Sequence, residues 1–145
     1  MAVHAPESYR QILVPISTAV PSDEAMAIAC RLSAERGATV TIVGVVEVPA
    51  ELPLDARMQT EDEAARHAVA EARAVAELHG VGTSTSVVRA RSAAEAIVAR
   101  AQESGAQLIV LGAPRRGTHR RGPIFGRTVA AVLGQAPCRV MVAAR

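Results

Sequence analysis

The residues with most potential for chemistry fall in one stretch, Leu108 to Thr128. There the apolar run Leu108-Ile109-Val110-Leu111 gives way to Gly112, Gly117 and Gly126, interleaved with His119 and five arginines, Arg115, Arg116, Arg120, Arg121 and Arg127. The pattern predicts a buried strand, a cationic loop and a helix that begins near Gly126. Such a junction is suited to holding an anion. Glycines let the backbone come close to a ligand and adopt positive φ, and the free N–H groups of a helix start point at whatever sits there. A charge-assisted contact to phosphate is worth about 1.5–3 kcal/mol gross. After the cost of ordering a loop and immobilising a ligand, three or four such contacts leave roughly micromolar affinity, which suits a sensor of an abundant nucleotide better than a tight cofactor site. The competing reading of the same arginines is a solvated loop that keeps the protein soluble.

Other chemistries lack their residues. Gly112 and Gly117 have the glycine spacing of a phosphate-binding P-loop, but Thr118-His119 follow where Lys and Ser/Thr are required. No G-x-G-x-x-G follows the first apolar run, and no serine stands in a G-x-S-x-G elbow. His4, His67, His79 and His119 are scattered, with no C-x-x-C or H-E-x-x-H spacing. His67 and His79 are expected on the solvent side of a helix. A dedicated hydrolase or metalloenzyme is unsupported, and no catalytic or metal-ligating residue is assigned.

Composition narrows the partners. A chain of 145 residues fits one domain that buries roughly two-thirds of its unfolded surface. Tyr9 and Phe125 are the only aromatics, so there is no platform for stacking single-stranded bases, and a net charge of +2 is too small to imply nucleic acid or a membrane surface. The core must then be built from Val, Ile, Leu and Ala. Cys30 and Cys138 read as reduced, mostly buried thiols. No secretory h-region follows Met1 and no apolar run approaches membrane-spanning length, so a cytoplasmic protein with no membrane insertion is expected.

The elements that would position the arginine loop can be read in order. Residues 1–10 read as a flexible leader and 11–145 as the domain. Gln11 to Ile16 is a continuous apolar run of the kind covered on both faces in a parallel sheet, with Pro15 expected where its ladder stops. A loop over Ser17 to Pro21 precedes Ser22, a good N-cap, and a helix to about Arg36 with Met26, Ala29, Leu32 and Ser33 on one side and Gly37 as its stop. Thr39 to Val46 is β-branched; Gly44 inside it marks either a close approach of a backbone or ligand, or a simple packing glycine. Thr60-Glu61-Asp62-Glu63 matches a capping box, and Ala64, His67, Ala68, Glu71, Val75 and Leu78 set the pattern of the helix up to Gly80. Thr83 to Arg89 alternates more than the other strands and is expected nearer an edge. Ser92-Ala93-Ala94-Glu95 is a second capping box, with a stop at Gly105. The strand Leu108 to Leu111, a helix through Val129, Val132 and Leu133, a break at Gly134 to Pro137 and a last strand Arg139 to Val142 complete the order.

Strands alternating with helices give a parallel sheet with right-handed crossovers, covered on both faces. In such folds ligands bind beyond the carboxyl ends of the strands, where the winding reverses. The loops after the first and fourth strands place that reversal between them. The expectation is an α/β fold with a single doubly wound, five-stranded parallel sheet, four helices and strand order 3-2-1-4-5.

From about Tyr9 to Ala143 the chain resembles the universal stress protein family. Ile12-Leu13-Val14-Pro15-Ile16 is similar to its opening strand and Thr41-Ile42-Val43-Gly44-Val45 to its second. Gly126-Arg127-Thr128-Val129 through Ala136-Pro137-Cys138-Arg139-Val140-Met141-Val142 is similar to its ending, the most specific match. The resemblance implies an adenine nucleotide alpha hydrolase-like fold, a homodimer through the C-terminal strand, and, in one branch of the family, binding of ATP or another adenine nucleotide with a divalent metal.

ATP-binding members carry a loop written G-x2-G-x9-G-[ST] and an Asp directly after the first strand. Here Ser17 stands at the Asp position, Arg115 replaces the second glycine with Gly117 two residues later, Gly126 arrives one residue late, and Arg127 precedes Thr128 where Ser/Thr is usual. The nucleotide-binding residues implied by the resemblance are Pro15, Ile16, Ser17, Val45, Gly112, Arg115, Gly117, Gly126, Arg127 and Thr128. Val45 would offer its backbone to an adenine edge, Gly112 would lie against the ribose, and Gly126 to Thr128 would face phosphates. Loss of the carboxylate weakens base or ribose recognition, whereas added arginines can replace lost N–H contacts and the metal's charge. The function implied is a cytoplasmic stress-response regulator holding ATP, AMP, cAMP or c-di-AMP, with Mg if the guest is ATP, and at most a weak ATPase. The rival is a nucleotide-free dimeric interaction module acting on a transporter or other partner.

Overall fold

The computed structural model describes residues 9–17, 22–113 and 126–143; residues 1–8 of the expected leader, most of the 17–21 loop, and Arg115, Gly117 and His119 lie outside them. The element order is β1 (Gln11–Ile16), α1 (Asp23–Arg36), β2 (Thr39–Glu47), α2 (Gln59–Leu78), β3 (Thr83–Ala90), α3 (Ala93–Ser104), β4 (Leu108–Gly112), α4 (Arg127–Gln135) and β5 (Arg139–Ala143). All pairings are parallel, in one five-stranded sheet of order β3-β2-β1-β4-β5, as the sequence predicts.

Burial follows from that order. β1 and β4 and the interior of β2 are buried because neighbours and helices cover them, whereas β3 is half-buried along nearly its whole length as an edge strand. Alternate side chains of the central strands feed two cores. Ile12, Val14, Ile16, Ile42 and Val110 pack with Met26 and Ala29 of α1 and Val69 and Ala72 of α2; Leu13, Val43, Val45, Ile109 and Leu111 pack with Ile97 of α3 and Val129 and Val132 of α4. Burying each such Val, Leu or Ile is worth about 1.5–3 kcal/mol. Two helices on each face are thereby fixed to the sheet without large aromatics.

Helix ends decide where the loops point. Gly37, Gly80 and Gly105 adopt positive φ at or just past the ends of α1, α2 and α3, the conformation that lets the last carbonyls find donors. Ser92 Oγ accepts from Glu95 N at 3.3 Å, so the serine half of the second capping box forms. The first does not. α2 begins at Gln59 after Met58, with Asp62 N donating to Met58 O at 2.7 Å, and Thr60 lies inside its first turn; Gln59 is a good helix former whose amide donates to Glu63 at 3.2 Å, one turn on. Ser22 occupies the N-cap position of α1 without a side-chain bond to it.

The buried stripe of α2 leaves out the apolar residues at the end of its periodic pattern. Val69, Ala72 and Ala76 face the core, whereas Val75 is 38% and Leu78 86% exposed. Small residues allow α2 to press on β2 at Gly44. A Cβ built there would lie 2.8 Å from Val69 Cγ2 and 3.5 Å from the Ala65 carbonyl oxygen. Gly44 is therefore a packing glycine. α4 ends at Gln135, within the expected break at Gly134 to Pro137, with Gly134 still in its last turn.

Candidate functional site

The carboxyl ends of β1, β2 and β4 converge at the winding reversal. β1 pairs with β4 at Ile12–Leu108 and Leu13–Ile109, and among the described residues no further pair joins them, although Val14 to Ile16 and Val110 to Gly112 continue both strands. Pro15 lies two residues past the last of those pairs while remaining level with Val43 of β2. A proline cannot donate to a ladder, so a central strand carries one where pairing on one side has stopped. The expectation for Pro15 holds toward β4 and fails toward β2, where Ile16–Gly44 extends the ladder.

β2 and β3 run on together past this point. Val45, Val46 and Glu47 pair with Val88, Arg89 and Ala90, beyond the last β1–β2 pair. They form a ledge of extended backbone above the end of β1. Val45, 5% exposed, anchors its side chain in the core shared with α3 and α4, so it is the backbone that this residue can offer. Ser17 follows β1 and is half-buried; Gly112 ends β4 opposite Ala143 of β5.

Gly126, at φ 89° and ψ 166°, occupies the N-cap of α4 and supplies no side-chain cap. That corner of backbone space is open almost to glycine alone. α1 has Asp23 and Glu24 in its first turn, α2 has Glu61 and Asp62, and α3 has Glu95. α4 has no acidic residue there and opens with the exposed Arg127 and half-buried Thr128. A helix start carries roughly half a positive charge. The first three helices complement it internally; α4 adds a cation instead.

Among the sequence-predicted site residues, the fold therefore brings Pro15, Ile16 and Ser17 to one strand end, Val45 to the neighbouring ledge and Gly112 to the end of β4, and it starts α4 with Gly126, Arg127 and Thr128. Arg115 and Gly117 fall outside the described residues. Among the described residues no three His, Cys, Asp or Glu side chains group to hold a metal, and Ser17 offers a hydroxyl where a metal or ribose would favour a carboxylate.

Over residues 48–58 a strap follows the ledge; its prolines Pro49 and Pro53 mark an irregular link in the sequence over Glu47 to Asp55, but the bonds that hold it were missed. Arg89 Nη1 donates to Asp62 Oδ1 and Oδ2 at 2.6 and 2.7 Å, Nε donates to Leu54 O at 3.0 Å, and Nη2 donates to Ala56 O. Arg91 Nη1 reaches the carbonyls of Val48, Pro49 and Leu52 at 3.3, 2.5 and 2.7 Å. The hydrogen bond from Arg89 holds the Asp62 carboxyl below its ordinary value, against an opposing push from desolvation. Glu47 Oε2 accepts from Ala93 N at 3.1 Å, joining the end of β2 to the start of α3. The signal available in the sequence was Arg89-x-Arg91 ending a strand beside a proline-containing link.

Cys30 and Cys138 are free, and burial raises the pKa of both thiols. His67 and His79 are exposed; His67 Nε2 lies 2.6 Å from Glu71 Oε1 one turn away. No helix among the described residues is long and apolar enough to cross a membrane.

The comparisons agree with this architecture. A universal stress protein of Burkholderia pseudomallei is 25% identical, with a TM-score of 0.69 over 96% of this chain and 98% of that one. A universal stress protein of Archaeoglobus fulgidus in complex with dAMP is 18% identical, with a TM-score of 0.70 over 92% and 97%. A universal stress protein in complex with cAMP is 20% identical, with a TM-score of 0.67 over 92% and 95%. No curated protein matches the chain. The sequence profile described as the universal stress protein family matches residues 8–144, and the chain belongs to that family.

Proposed function

We propose that the protein is a cytoplasmic stress-response regulator that binds an adenine nucleotide where β1 and β4 part, with the base against the Val45–Glu47 ledge and phosphate at the start of α4. The observation that carries this reading is the contrast among helix starts: α4 alone of the four lacks a first-turn acid, and it begins beside the strand reversal with Gly126 and Arg127. An anionic guest would complement that end. The extended backbone of Val45 suits the edge of a purine, and Gly112, with no side chain at the end of β4, would lie against the ribose. The cAMP and dAMP held by two structurally similar proteins support an adenosine monophosphate-type guest.

ATP, AMP, cAMP and c-di-AMP are the ligands to compare. With ATP as the guest, Mg would ride chiefly on its phosphates, since among the described residues no three His, Cys, Asp or Glu side chains group to hold the ion. The role is binding rather than turnover. Titration calorimetry of the purified chain with each ligand tests the reading: saturable binding lost in Arg127→Glu supports it, and no binding by any of the four overturns it.

A second reading, a nucleotide-free dimeric module contacting a transporter or other partner, draws on Ser17 at the position of the family's Asp and on the free edge of β5. Among the described residues β5 pairs with β4 alone, and Met141 on β5 and Leu133 on α4 are 37% and 50% exposed. A homodimer through β5 is common to both readings.

A further inference from the structure

We propose that Arg89 and Arg91 are positioning residues of the nucleotide site: they hold the 48–58 strap as a fixed wall at the base end of the Val45–Glu47 ledge. This rests on the reading above and extends it to residues that touch no ligand. The link from β2 to α2 is longer than the roughly two to six residues usual between a strand and the helix that follows it. It is held by carbonyls. Two guanidinium groups take up the carbonyl oxygens of Val48, Pro49, Leu52, Leu54 and Ala56. The planar fork of arginine suits that task because little freedom is lost per bond formed.

The clamp stands on the ledge's own cross-strand partners. Arg89 is level with Val46, and Ala90, between the two arginines, is level with Glu47 and accepts from Val48 N at 2.8 Å. Asp62 ties the same guanidinium to the first turn of α2, and Glu47 ties the ledge to α3. The strap therefore cannot swing from the ledge while these bonds persist. A wall ordered beforehand spares the ligand the cost of ordering it.

The test compares wild type, Arg91→Ala and a control, Val40→Ala, which weakens the buried core at the amino end of β2, away from the strap and the ledge. AMP affinity is measured by calorimetry and amide exchange over 48–58 by mass spectrometry. Arg91→Ala is expected to speed strap exchange and weaken AMP about tenfold, while the control leaves AMP affinity within about twofold of wild type. Equal weakening in both variants would show that only general stability was disturbed, and accelerated exchange with unchanged AMP affinity would show that the wall does not bear on the base; either overturns the proposal. Wild-type protein that binds none of AMP, ATP, cAMP and c-di-AMP overturns the nucleotide reading and this inference with it, a result separable from the other two.

Discussion

Val69 of α2 rests against the bare backbone of Gly44 in β2, so closely that a Cβ at Gly44 would stand 2.8 Å from Val69 Cγ2. Val69 is 6% exposed and β-branched, so it has few rotamers into which it can retreat. Gly44→Ala is expected to lower stability by about 1–3 kcal/mol through overpacking. Denaturant unfolding checks this, and Gly44→Ala combined with Val69→Ala should recover part of the loss. Destabilisation by the double variant equal to the sum of the single effects would contradict the contact.

Asp62 and Arg89 give a pH dependence of known sign. The Asp62 carboxyl titrates below its ordinary 3.8 in the folded chain, chiefly through the hydrogen bond from Arg89. Its contribution to stability is therefore complete above the ordinary carboxylate range and is lost as pH falls through the lowered value. Denaturation midpoints followed from about pH 5 to pH 2 should fall less steeply for Asp62→Asn than for wild type. Parallel curves would show that the pair adds nothing.

How much of this was legible in the sequence varies with the range of the interaction. The strand runs, Ser92 as a cap and Gly37 and Gly105 as stops are local, and each appears where its residues put it. The sheet order followed from two loops and the handedness of crossovers. What failed depended on distant partners. Thr60 looked like a cap because its neighbours matched a capping box, but Gln59 and Met58 set the start of α2. The periodic pattern through Val75 and Leu78 marked a helix but not its buried side, because Gly44 draws the alanine side of α2 onto the sheet. The bonds of the strap were illegible because they join Arg89 and Arg91 to carbonyls 33 to 43 residues away.

The free edge of β5 provides a third test. Met141 is 37% exposed on a strand with one neighbour, and edge strands are commonly blunted by charge. Met141→Arg is expected to shift the protein from dimer to monomer in sedimentation equilibrium while leaving the far-ultraviolet circular dichroism unchanged. A wild-type protein that sediments as a monomer at all accessible concentrations would remove the dimer from both functional readings.

Gly126 joins local backbone geometry to binding. At φ 89° and ψ 166° an alanine would carry strain of about 1–3 kcal/mol, and the backbone would relieve it by turning the first amides of α4 away from their present direction. Arg127→Glu leaves that backbone intact but puts a negative charge at the helix start, where it competes with an anionic guest. Both variants should weaken nucleotide binding, with different signatures. Gly126→Ala should lower the thermal midpoint and reduce affinity at every salt concentration. Arg127→Glu should keep the midpoint near that of wild type and flatten the salt dependence of affinity, because long-range attraction between exposed charges is what salt screens. Calorimetric titrations with AMP at low and high salt, beside thermal melts, distinguish the two. Unchanged affinity in both variants would remove the start of α4 from the site and leave the nucleotide to be sought elsewhere on the sheet's carboxyl edge.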